Sequence, residues 1–109
     1  MKYHATPTTI DGIRFDSIAE ANHYCELKLL ERAHMISELR IHPSYTLQEA
    51  FEYRGRKERA ITYEADFSYK EKGEVIVEDV KGFRTDVYNI KRKLFEYKYP
   101  EYIFKEVKV

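Results

Sequence analysis

The order of periodicities along the chain predicts an α/β fold. Residues 17–33 and 86–98 have helical period, and the long stretch between them alternates apolar and polar side chains, as does a final run at 102–109. Within that stretch, residues 63–82, YEADFSYKEKGEVIVEDVKG, read as two strands joined by a polar turn at 70–73. The second of these strands is apolar at Val75, Ile76 and Val77, as a strand covered on both faces is, and then ends in Glu78-Asp79-Val80-Lys81. At 109 residues the chain suits one domain with one core, spanning 1–109.

Composition narrows the class. A hydrophobic content of 43% with 15% aromatic residues argues against disorder, although 35% of the residues are charged. The formal net charge is zero, so the overall balance points to no polyanion, but the charge is unevenly spread: residues 1–53 carry 5 basic and 8 acidic side chains, and residues 54–109 carry 14 and 11. A single cysteine, Cys25, excludes an internal disulfide and a thiolate zinc cluster, points to a reducing compartment, and is expected to be a small core residue of a helix. The opening MKYHATPTT lacks the apolar run of a signal peptide, and no window has the length of a membrane span, so a soluble intracellular protein is expected.

The elements follow in order. Residues 8–15 form a hairpin about Asp11-Gly12. Ser17-Ile18-Ala19-Glu20 is a capping box that opens the first helix, with Ile18, Ala21, Cys25, Leu29 and Ala33 as its apolar stripe. Glu20, Tyr24 and Leu27 lie opposite, which makes the helix apolar on two sides and predicts that it is sandwiched. Residues 36–47 alternate as a strand broken or bent at Pro43. Arg54, Arg56, Lys57 and Arg59 surround Gly55 in a basic turn, either a solvated hairpin tip or a phosphate contact. Beyond Lys81 a Gly82-Phe83-Arg84-Thr85 loop leads to the second helix, with Asp86 as N-cap and Val87, Ile90, Leu94 and Tyr97 as core stripe. Lys91 and Lys93 flank that stripe and Arg92 lies opposite. Residues 81–93 carry five basic side chains against Asp86, the densest positive stretch of the chain.

Strand parity sorts the charges at the end of the apolar strand. Asp79 and Lys81 share one face, and Glu78 shares the other with Val80. If Asp66 on the preceding strand points the same way, two carboxylates and an ammonium converge, which suits a hard divalent cation and a phosphate. An ordinary surface hairpin with a solvated Asp79–Lys81 pair stands as the plainer alternative. Glu20 is likewise open between helix cap and third carboxylate.

A helix carrying Glu20, a strand carrying Asp66, a strand ending Asp79-Val80-Lys81 and then a basic helix together resemble the PD-(D/E)XK, or restriction-endonuclease-like, nuclease superfamily. YEADFSY followed by VIVEDVKG is similar to a family of small phage and prophage proteins in that superfamily that are related to Holliday-junction resolvases. The resemblance covers about residues 8–108 and implies a restriction-endonuclease-like core, a central mixed β-sheet flanked by two main helices. Asp66 matches the acid of the PD half-motif, with Ala65 in place of the proline; Asp79 and Lys81 match the second half-motif, and Glu20 the acid of the first helix.

The implied activity is metal-dependent hydrolysis of DNA phosphodiesters in phage replication or recombination, in the cytoplasm of a bacterial host. Asp66, Asp79, the carbonyl of Val80 and Glu20 would hold Mg²⁺, with Mn²⁺ able to substitute, while Lys81 orients or deprotonates the attacking water. Arg54, Arg56, Lys57, Arg59, Arg84, Lys91, Arg92 and Lys93 would bind the DNA backbone. Symmetric cutting of a branched substrate implies a homodimer. The alternatives are a flap or nicking nuclease, a nucleic-acid-binding accessory without catalysis, and an interaction protein in which the three charged groups diverge.

Overall fold

The computed structural model describes residues 6–109, so the leader-free reading of the first five residues lies outside the described part. β1 (Thr8–Ile10) and β2 (Ile13–Phe15) form the antiparallel hairpin, with Asp11 and Gly12 in the left-handed region at φ 53° and 75°. α1 (Ile18–Arg32) starts at Ser17, whose hydroxyl accepts from the Glu20 amide at 3.1 Å. The Glu20 carboxylate accepts from the Asp16 amide at 3.3 Å, so the return half of the capping box reaches one residue before the expected one.

Pro43 divides the next segment into β3 (Ser37–Ile41) and β4 (Ser44–Gln48). β5 (Phe51–Tyr53) and β6 (Arg56–Glu58) make a small exposed hairpin turning at Arg54-Gly55. β7 (Ile61–Glu64) and β8 (Phe67–Glu71) are separate strands, and Asp66 falls in the break between them. A two-residue turn at Lys72-Gly73, tighter than the 70–73 expected, leads into β9 (Glu74–Lys81). α2 (Asp86–Lys98) is capped by Thr85, whose hydroxyl accepts from the Tyr88 amide, which corrects the assignment of the cap to Asp86. β10 (Ile103–Lys108) ends the chain.

The main sheet is mixed and runs β10-β9-β8-β3, with β10 parallel to β9 and the other pairs antiparallel. β4 pairs with β7 in a separate ribbon. Ile76 and Val80 of β9 pack with Phe15, Ala21, Tyr24, Leu27 and Phe67, whereas Val77 packs with Tyr63, Ala65, Tyr88 and Phe95. Alternation along β9 thus puts α1 on one face of the sheet and α2 with the ribbon on the other. The architecture is α/β, a mixed sheet flanked by two helices.

Of the two faces expected of α1 only the one with Glu20, Tyr24 and Leu27 is buried, and α2 buries a different stripe from the one expected. α1 buries Glu20, Ala21, Tyr24 and Leu27, while Ile18, Cys25 and Leu29 are exposed, Leu29 by 63%. It is covered on one side rather than sandwiched, and Cys25 is a surface thiol rather than a core residue. α2 buries Tyr88 and Phe95, and Val87, Ile90, Leu94 and Tyr97 face outward, Tyr97 by 87%. Hydrogen bonds make the polar-tipped choice possible: Tyr24 donates to Asp11 at 2.8 Å and Tyr88 to Glu106 at 2.5 Å. No helix among the described residues is long and apolar enough to cross a membrane.

Candidate active site

The site forms where the sheet splits. β8 pairs with β9 only as far as Phe67 opposite Glu78, so Asp79, Val80 and Lys81 run past its end with β10 alone beside them. Just before Phe67 the chain crosses from the α2 side of the sheet, where Tyr63 and Ala65 pack, to the α1 side, where Phe67 packs. Asp66 sits at that crossing. Its Oδ2 accepts from the Val80 amide at 2.6 Å, so a side-chain carboxylate takes the place that a strand carbonyl would fill. The backbone is pinned on both sides, with the Asp66 amide donating to Glu78 at 3.0 Å and the His42 amide donating to the Asp66 carbonyl at 2.9 Å.

Asp79 and Lys81 lie together on the α2 face. Lys81 Nζ is 3.1 Å from Asp79 Oδ1 and 4.3 Å from the centre of the Tyr88 ring, where a cation–π contact holds the ammonium. Tyr63 donates a short hydrogen bond to Asp79 Oδ2. Burial, the charge of Asp79 and the bond to it all push the Tyr63 phenol well above its ordinary range, so it stays a donor. The Asp79 carboxyl is itself pushed up to about 6, first by burial and then by the charge of Asp66, against the downward pull of Tyr63 and Lys81.

Glu78 serves the opposite face. Its carboxylate lies 2.6 Å from His23 Nε2 and accepts from Tyr69 at 2.7 Å, locking β9 to α1. The bond to Glu78 is the main cause of a raised His23 pKa, partly offset by burial.

Glu20, His42 and Asp66 each bring one potential ligand atom into a group whose members all lie within 4.8 Å of one another. An ion held at about 2.1 Å sets neighbouring ligands about 3 Å apart and opposite ones about 4.2 Å, so such a group fits a cation with small adjustments. Two carboxylates about 5 Å apart at an effective dielectric near 20 repel by roughly 3 kcal/mol, which a cation would cancel. Of the residues expected to hold the metal, the fold therefore gathers Glu20 and Asp66. Asp79 stays with Tyr63 and Lys81 on the other face, near enough for the Asp66 charge to act on it. Val80 is engaged through its amide with Asp66. Glu20 is both cap and cluster member, accepting from Asp16 at 3.3 Å while 1% exposed.

His42 is not among the residues that the sequence marks. It lies more than twenty positions from both Glu20 and Asp66, so no local spacing links the three, and only its place beside the strand-breaking Pro43 singles it out. Nor does the sequence mark Tyr63 or Tyr88 as site residues.

The basic side chains are dispersed. Arg54, Arg56, Lys57 and Arg59 are exposed on and beside the β5–β6 hairpin, Arg56 within 2.5 Å of Glu58. Arg84 pairs with Glu106 at 2.5 Å and Arg92 with Glu96 at 2.7 Å, and both line a cavity of about 330 Å³ with Asn89 and Phe104. Lys93 is exposed on α2 and Lys91 half-buried.

Fold and site together define an α/β protein with a split mixed sheet, a carboxylate–imidazole group at the split and a buried aspartate–lysine pair beside it. Across residues 1–109 the chain matches the family described as Protein of unknown function (DUF1064), and it belongs to that family. No curated protein matches it.

Proposed function

We propose that this protein is a metal-dependent DNA endonuclease with a restriction-endonuclease-like core, selective for branched DNA and acting in the cytoplasm of a phage-bearing host. The observation that carries the reading is a sheet split that gathers the Glu20 and Asp66 carboxylates on one face and sets the Asp79–Lys81 pair on the other, near enough for the Asp66 charge to act on Asp79. A pure nucleic-acid binder gains nothing from placing buried carboxylates where phosphates dock.

Glu20 and Asp66 would hold Mg²⁺ or Mn²⁺, which supplies Lewis-acid activation of a water and of the scissile phosphate, with Asp79 on the opposite face coupled to them through its charge. Lys81, fixed by Asp79 and the Tyr88 ring, orients the attacking water and neutralises charge developing on the phosphoryl oxygens. Tyr63 keeps the Asp79 carboxylate oriented toward Lys81. The hairpin of Arg54, Arg56 and Lys57, with Arg59, holds the backbone of the substrate, and Arg84 before α2 with Lys91, Arg92 and Lys93 on it supply further backbone contacts. A homodimer fits the exposed Val87, Ile90, Leu94 and Tyr97 stripe, an apolar helix face suited to a second copy.

The test is incubation of wild type and Lys81→Ala with four-way junction, flap, single-stranded and linear duplex DNA in Mg²⁺, Mn²⁺ or EDTA. Junction cleavage that needs metal and Lys81 is expected. Failure to cut any of the four would overturn the reading, and a monomeric mass in the presence of junction DNA would redirect it to a flap or nicking nuclease.

A further inference from the structure

His42 gives the cation site a property that its carboxylates do not. Its Nε2 lies 3.9 Å from Glu20 Oε2, beyond hydrogen-bond reach, so the two do not simply close on each other and the space between them suits an ion. The backbone that carries the imidazole is held in place before any ligand arrives. The His42 amide donates to the Asp66 carbonyl at 2.9 Å, the following Pro43 carbonyl accepts from Ala65 at 2.9 Å, and the Phe15 ring packs with its centre 5.8 Å from that of the imidazole. The same two hydrogen bonds tie the backbone of His42-Pro43 to that of Ala65-Asp66, so the two main-chain positions that carry the ring and the carboxylate are held relative to each other. His42 also takes φ 53°, in the left-handed region where histidine is enriched among non-glycine residues.

We propose that His42 is a cation ligand and that the site, one nitrogen with two carboxylates, prefers Mn²⁺ to Mg²⁺. The inference rests on the reading of Glu20 and Asp66 as metal ligands. Mg²⁺ takes oxygen ligands and keeps its waters, whereas imidazole favours first-row transition ions.

The experiment uses Mn²⁺ and Mg²⁺ themselves, without DNA. Calorimetric titration of wild type, His42→Asn and His42→Ala gives the affinities, and pulsed electron paramagnetic resonance of bound Mn²⁺ reads nitrogen coupling directly. Asparagine is chosen because it tolerates left-handed backbone, and circular dichroism checks that both variants fold. Expected are nitrogen coupling in wild type and its loss in both variants. Mn²⁺ affinity should fall about tenfold or more in the variants, as for loss of a ligand or its support, with Mg²⁺ affinity changed much less. Bound Mn²⁺ without nitrogen coupling, equal Mn²⁺ affinity in wild type and variants, or no binding of either metal would overturn the proposal. Cleavage assays separate the two readings: Mg²⁺-dependent cutting with unaltered Mn²⁺ binding in His42→Asn sinks the His42 role alone, and Mn²⁺ bound through His42 in a protein that cuts nothing sinks the nuclease alone.

Discussion

Replacing Asp79 by asparagine removes a charge that the fold resists. The residue is 2% exposed, and its carboxyl is pushed from an ordinary 3.8 up to about 6, by burial first and by Asp66 second. A shift of that size corresponds to roughly 3 kcal/mol of preference for the protonated form. Since the folded value lies above the unfolded one, the folded state binds the proton more tightly; the contribution is fully present below about pH 4 and is lost as pH rises through about 6. Asparagine carries no such dependence, and its carbonyl can still accept from Tyr63. Urea unfolding in EDTA at a series of pH values isolates the effect. Wild-type stability minus that of Asp79→Asn should fall by roughly 2–3 kcal/mol between about pH 4 and about pH 7.5. A difference that stays flat or climbs over that interval refutes the reasoning, because it means that Asp79 ionises in the fold as easily as in the open chain.

Three further outcomes rest on other parts of the molecule. Phe95 is fully buried among the rings of Tyr45, Tyr63 and Phe104, at 4.9, 5.5 and 5.9 Å between centres, so Phe95→Ala should cost about 3–5 kcal/mol in urea unfolding. Glu78→Gln should lower the His23 pKa, read by the imidazole proton shifts in an NMR titration; an unchanged value means that the 2.6 Å contact does not hold the proton. Neutralising Arg54, Arg56, Lys57 and Arg59 together should leave stability within about 0.5 kcal/mol, since all four are exposed. The same change should flatten the salt dependence of DNA affinity, by about 0.9 in logarithmic slope for each phosphate no longer neutralised. An unaltered slope would remove the hairpin from the interface.

Turn chemistry and strand alternation made the element order legible. Asp11-Gly12 and Lys72-Gly73 are dipeptides that accept positive φ, and each sits at a hairpin turn. The helix faces were legible only in part. For α1 the counting marked the Glu20, Tyr24 and Leu27 face, which is buried, beside a stripe through Ile18, Cys25 and Leu29, which is exposed; for α2 it weighted Ile, Leu and Val above Tyr and chose Val87, Ile90, Leu94 and Tyr97, all of which are exposed. The buried stripes use Tyr24, Tyr88 and Glu20, whose polar tips find partners in Asp11, Glu106 and Asp16. Those partners come from outside each helix and are invisible to a local pattern. Parity along β9 did separate Asp79 and Lys81 from Glu78, because an unbroken strand preserves it. Across the break at Ala65-Asp66 parity fails, since the chain changes sides of the sheet there, and with it failed any means of locating His42.

Asp66 joins these threads, because two roles for it predict different outcomes of one substitution. In a purely structural role it is the acceptor that covers the Val80 amide after β8 has left the sheet, and an asparagine carbonyl can accept that bond nearly as well. In a chemical role its charge also pushes up the Asp79 carboxyl and binds the cation with Glu20 and His42. Asp66→Asn should then fold, lower the Asp79 pKa toward its ordinary value, shrink the pH-dependent stability difference between Asp79 and its asparagine variant, and weaken Mn²⁺ binding. Urea unfolding at several pH values and calorimetry with Mn²⁺ measure both effects on one preparation. If Asp66→Asn leaves both unchanged, Asp66 is a strand-end cap and nothing more, and the split in the sheet is architecture without chemistry.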